Sequence, residues 1–120
     1  MNIKITSEGN ITIARIDGRV DEKAAMILEE KLTNMLKSGK TQVLVDLAGI
    51  EFIGSSGIGK LLNTGRALQK AGGQMGLSSI PVRFKPAFKS IWGSAGTALI
   101  PIFDSPDAAL KMFQNDPNVG

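Results

Sequence analysis

Val43-Leu44-Val45-Asp46-Leu47 is a short apolar run with little polar relief, and beyond it Ile58, Leu61, Leu62, Gly65 and Leu68 recur at three- and four-residue steps. The first pattern is that of a strand covered on both faces, and the second that of a helix with one apolar side. A strand that leads through a loop into a helix is one unit of a layered α/β fold. Between the two stands Phe52-Ile53-Gly54-Ser55-Ser56-Gly57-Ile58-Gly59-Lys60, which places two serines where loop becomes helix. Such a place offers free backbone N–H groups and the positive end of a helix dipole. A phosphate is accommodated there, whether it arrives on a ligand or is attached covalently to a serine.

The rest of the chain repeats the unit. Residues 2–7 and 10–17 read as two strands joined at Glu8-Gly9-Asn10, with Asp17-Gly18 closing the second. Asp21 caps a helix whose stripe is Ala25, Leu28, Leu32, Met35 and Leu36, and Gly39 ends it in a left-handed conformation. Thr41–Leu47 is the buried strand, residues 48–51 a turn, and the serine loop opens a second helix reaching about Ala71. A weak fourth strand covers 74–80. Pro86 begins a third helix with Phe88, Ile91 and Trp92 inward, broken at Gly93-Ser94-Ala95-Gly96. Residues 98–103 are a fifth strand, and Ser105-Pro106 opens a last helix packed through Ala109, Leu110 and Phe113. The order β-β-α-β-α-β-α-β-α predicts an α/β fold: a mixed, mostly parallel five-stranded sheet with helices packed on it. Gly57, Gly59 and Gly65 share the second helix, where Gly65 serves close packing and Gly57 keeps the serines open.

Composition narrows the chemistry. The chain has 120 residues, no cysteine and no histidine, which removes disulfides, thiolate metal sites, the commonest general base and the commonest metal ligand. No enzyme activity, metal or cofactor is expected. The N-terminal stretch lacks the apolar block of a signal peptide, and no apolar run spans a bilayer, so a cytoplasmic protein without membrane insertion is expected. From residue 55 onward seven bases face three acids. They lie between helical apolar positions with few aromatics, which fits solvated faces or an acidic protein partner better than nucleic acid.

Gly54 to Lys60 also meets the first seven positions of the phosphate-loop pattern G-x-x-x-x-G-K-[ST], but the eighth is Leu61, which cannot hold magnesium. Binding of a nucleotide or phosphate without hydrolysis stays open at this point.

The loop resembles that of the STAS domains, the anti-sigma factor antagonists. Their aspartate or amide plus leucine at a strand end, aromatic in the turn and Asp-Ser-Ser-Gly at a helix start correspond to Asp46-Leu47, Phe52 and Gly54-Ser55-Ser56-Gly57. Gly18-Arg19-Val20-Asp21 is similar to the family's Gly-x-x-Asp, and Gly72-Gly73-Gln74-Met75 to its step into the fourth strand. The resemblance implies a single STAS domain over 1–114, with 115–120 a flexible tail. It implies that Ser55 is phosphorylated by a serine kinase that doubles as an anti-sigma factor, that a phosphatase reverses this, and that the unphosphorylated form binds the kinase and so releases the sigma factor. Asp21, Phe52, Gly54, Ser56, Gly57 and Ile58 are then the partner-binding residues around Ser55. A STAS scaffold or accessory module without a phosphoryl switch is the alternative. Two departures from the family stand out: Gly54 replaces the aspartate before the serine, and the stretch from Met75 to Pro86 is longer, bringing Arg83 and Lys85. The two serines also have a plainer use, as caps of the second helix.

Overall fold

The computed structural model describes residues 1–115, and the side chains of residues 1–113. The expected tail therefore lies outside the described residues, except for Asn115, which ends the last helix. The elements follow the predicted order: β1 (Asn2–Glu8), β2 (Ile11–Val20), α1 (Glu22–Lys37), β3 (Gln42–Ile53), α2 (Ser55–Lys70), β4 (Gln74–Ser78), a single 3-10 turn (Val82–Phe84), α3 (Lys85–Leu99), β5 (Ile102–Phe103) and α4 (Pro106–Asn115). They build one five-stranded sheet in the order β1-β2-β3-β4-β5, in which only the β1–β2 pair is antiparallel.

Side chains alternate across the sheet and divide the core in two. Val43, Val45 and Leu47 of β3 point to the face covered by α1, α2 and α3, with Leu28, Ile58, Leu61, Leu68 and Phe88 packed against them. Leu44 points the other way and, with Ile11, is covered by Ala109 and Phe113 of α4.

Helix ends follow the sequence signals. The Asp21 carboxylate accepts from the Ala24 N–H at 2.9 Å, the Ser105 hydroxyl accepts from the Ala108 N–H at 3.2 Å, and Gly39 and Gly72 take positive φ after α1 and α2.

Four expectations are corrected. First, β2 and β3 do not stop at Asp17-Gly18 and Leu47; they stay paired to Val20 and Ile53 through two register shifts. Gly18 turns to φ +91° there, and a Cβ at Gly49 would collide with the Asp17 side chain, so these glycines permit a bulged continuation instead of a turn. Second, Gly93 breaks α3 locally, at φ 64° and ψ −170°, but the helix resumes to Leu99 and shortens β5 to two residues. Third, Ile91 is exposed, while Phe88 and Trp92 carry the buried face of α3. Fourth, β4 ends at Ser78, and Pro81 leads into the 3-10 turn.

Candidate functional site

Because β2 and β3 run parallel and end together, with Val20 opposite Ile53, the two helices that follow them start side by side. The Gly54 N–H donates to the Val20 carbonyl at 3.1 Å and locks the two strand ends. One residue on from Val20, Asp21 caps α1; one residue on from Ile53, Gly54 occupies the same position for α2. Having no side chain, Gly54 leaves α2 without a side-chain cap, and the first turn of α2 contains no acidic residue. The N–H groups of Ser55, Ser56 and Gly57 precede the first intrahelical donor, Ile58, whose N–H donates to the Gly54 carbonyl at 3.2 Å, so the positive end of the dipole is uncompensated by the helix itself.

Ser55 is the first residue of α2 and is exposed, and Ser56 is half-buried. Neither serine caps the helix, contrary to their plainer reading, because the cap position falls one residue earlier. Phe52 is half-buried: the Arg19 guanidinium lies over its ring, 4.7 Å from the centroid, and the ring edge is 3.6 Å from where a Cβ at Gly54 would sit. Arg19 was legible in the sequence only as a spacer between Gly18 and Asp21. Its pairing with Phe52 across parallel strands is a matter of register, which no local pattern reports.

Gly57 and Ile58 lie beneath the rim. Ile58 is fully buried in the larger core and presents no side chain outward. A Cβ at Gly57 would stand 3.0 Å from both Ile53 and Val20 side chains, so this glycine seats the helix on the strand ends and its role is packing, not access. The outward set is therefore Ser55 with Asp21, Arg19 and parts of Phe52 and Ser56. Asp46 is buried, and its carboxylate accepts from the Ala48 N–H at 3.1 Å, so it turns away from the loop into its own strand.

Two further contacts shape the surroundings. The Lys60 ammonium lies 3.4 Å from the Glu29 carboxylate of α1. It thus ties helix to helix and does not fold back over the loop, as the lysine of a phosphate loop would. Arg83, in the lengthened stretch before α3, donates to the carbonyls of Ile50 and Glu51 at 3.2 and 3.4 Å and braces the end of β3 from the opposite side.

The STAS domain family model matches residues 2–109. This chain belongs to the STAS domain family. A relative from Bordetella bronchiseptica, named as the anti-sigma factor antagonist BtrV, is 24% identical over 115 residues, which are 95% of this chain and 96% of that protein. Among solved structures, the unphosphorylated form of the anti-sigma factor antagonist SpoIIAA superposes with a TM-score of 0.72 at 18% identity, covering 96% of this chain and 100% of that one. The phosphorylated form of Bacillus SpoIIAA gives 0.71 at 18% identity, covering 92% and 98%. A protein of Thermotoga maritima, also named as an anti-sigma factor antagonist, reaches 0.81 at 16% identity with 92% of each chain covered. At these identities the structural likeness is one of fold. Within it, the mixed sheet and the helices of this STAS domain are those expected, and among the described residues no helix is long and apolar enough to cross a membrane.

Proposed function

We propose that this STAS domain is an anti-sigma factor antagonist that docks on a serine-kinase anti-sigma factor through the start of α2, and that phosphorylation of Ser55 ends the docking. The observation that carries the reading is an exposed serine hydroxyl at the first position of a helix whose cap has no side chain. Kinase and antagonist share one surface: the γ-phosphoryl group of ATP passes to Ser55 Oγ, the bond to ADP breaks, and the hydroxyl proton leaves to the kinase's base. The product carries about 1.5 to 2 added negative charges. The helix end tolerates them, since its N–H groups and dipole favour an anion. A partner lying flat over Ser55 does not, because the charge would be buried without a mate. Asp21, Phe52, Gly54 and Ser56 form the contact around it. Gly57 and Ile58 act from below by fixing the helix on the strand ends. A phosphatase that hydrolyses the phosphoserine returns the protein to its binding form. The names of the relatives support the antagonist role, and the existence of SpoIIAA in both phosphorylated and unphosphorylated forms supports the switch.

A second reading, a STAS scaffold without a phosphoryl switch, is favoured by one observation: Gly54 leaves the residue before Ser55 without a carboxylate. One experiment separates the two. The protein is incubated with ATP and the anti-sigma kinase of the same genome, and phosphate is mapped by mass spectrometry. The switch requires a single phosphate on Ser55. It also requires that Ser55→Asp weaken kinase binding about 100-fold, while Ser55→Ala binds as the wild type does. Intact binding with no phosphate on Ser55 establishes the scaffold instead.

A further inference from the structure

Beside α3, at a place that Ser55 does not line, is a small slot of about 220 Å³ lined by Ile80, Lys85, Phe88, Lys89, Thr97 and Ile102. It sits in the angle made by the break at Gly93. Lys85, Phe88 and Lys89 come from the helical segment before the break, and Thr97 comes from the segment after it. The Gly93 conformation belongs to a region essentially restricted to glycine, so the angle is built into the sequence. Ile80 and Ile102 close the slot from the strand side.

The chemistry of the lining is one-sided. Ile80, Phe88 and Ile102 are hydrocarbon. The Thr97 hydroxyl is spent on the Gly93 carbonyl at 2.7 Å, which leaves its methyl group for the slot. The only charges are two ammonium groups one helical turn apart. Lys85 reaches a carboxylate, that of the almost fully exposed Asp104, only at 4.0 Å, and Lys89 takes part in none of the ion pairs of the described residues. Ile102 keeps 37% of its surface exposed, high for a large aliphatic residue on a strand. An apolar cavity of about 150 Å³ holds a benzene ring, so this slot has room for a body of about eight carbons. Lysine stems extend the apolar wall while their ammonium groups stay at the mouth.

We propose that the slot binds an amphiphilic monoanion, a medium-chain carboxylate with its chain on Ile102 and the stems of Lys85 and Lys89, over a floor of nearly enclosed Ile80 and Phe88, and its carboxylate between the two ammonium groups. An uncharged alcohol of the same length lacks the ion pairs, and an inorganic anion lacks the apolar body. This site is separate from Ser55 and stands whether or not the antagonist reading holds.

The molecule carries its own reporter. Trp92 is the single tryptophan; it meets Phe88 edge-on, with centroids 5.3 Å apart, and its indole N–H donates to the Ile58 carbonyl at 2.9 Å. The full chain is titrated with sodium octanoate below its micelle concentration, following Trp92 fluorescence and the methyl resonances of Ile80, Thr97 and Ile102. Saturable changes confined to those residues are expected. Octanol should bind about tenfold more weakly, and Lys85→Gln with Lys89→Gln should cost octanoate a similar factor without shifting the unfolding midpoint. Absence of saturation, equal affinity for octanol and octanoate, undiminished binding by the double variant, or shifts mapping elsewhere would each overturn the proposal.

Discussion

Gly54 decides more than its size suggests. Its φ is −88°, an ordinary value, and a Cβ there would meet only the Phe52 ring at a normal 3.6 Å. Nothing steric demands glycine, so Gly54→Asp should fold. An aspartate at this cap would accept from N–H groups of the first turn and stabilise α2 by a few tenths of a kcal/mol over glycine, read as a small rise in the urea midpoint. It would also put a carboxylate beside Ser55. If the kinase reads that carboxylate, phosphorylation of Ser55 should run faster in the variant than in the wild type, and a time course with ATP measures this. The place of Ser55 was legible because an apolar run, a turn and a helical stripe bracket it. The freedom of its hydroxyl was not: whether a serine caps a helix or only starts it depends on a shift of one residue, finer than periodicity resolves. Ile58 shows the converse limit. Beside the loop in sequence, it lies under it in space, because the helical stripe that carries it faces the sheet.

At the scale of elements, the strand ends and the helix glycines were the hard parts. Asp17-Gly18 and Ala48-Gly49 have the composition of turns, yet they lie near one another on adjacent parallel strands and let both continue through a bulged region. A single chain segment cannot reveal such a pairing, since each strand alone would end there. The caps, by contrast, are local chemistry, and Asp21, Gly39, Pro86 and Ser105 act where the sequence placed them. The α2 glycines separate by what surrounds them. A Cβ at Gly65 would run into the Ile100 side chain, whereas one at Gly59 would meet nothing within 4 Å. Gly65→Ala should therefore overpack the contact between α2 and the chain leading to β5, and destabilise by about 1–3 kcal/mol. Gly59→Ala removes only the entropic cost of glycine in a helix and should stabilise by about 0.5–1 kcal/mol. Urea denaturation of the two variants should show midpoints displaced in opposite directions. Two shifts of the same sign would mean that α2 does not lie on β4 and Ile100 as described.

For the whole molecule, the sheet separates the smaller core under α4 from the recognition end. Three helices and most of the core lie on one face, and α4 alone covers Leu44 and Ile11 on the other. Phe113 is the largest buried side chain of that second cluster and is fully enclosed. Phe113→Ala should cost about 3–5 kcal/mol, a large share of the ~5–15 kcal/mol that holds a domain of this kind together. The serine loop, however, is positioned by the pairing of β2 with β3 and by the seating of Gly57 and Ile58 of α2 on the strand ends at Val20 and Ile53, all on the opposite face. At a temperature where the variant is still folded, its affinity for a partner docked over Ser55 should thus equal that of the wild type, although its urea midpoint falls steeply. Ser55→Asp should do the reverse, lowering affinity while leaving the midpoint in place or slightly raised, because a negative charge at the start of α2 suits the helix and offends only the partner. Measuring both variants by both assays tests whether the two faces are independent. Should Phe113→Ala weaken docking in proportion to its loss of stability, α4 would belong to the recognition surface and the division drawn across the sheet would fail.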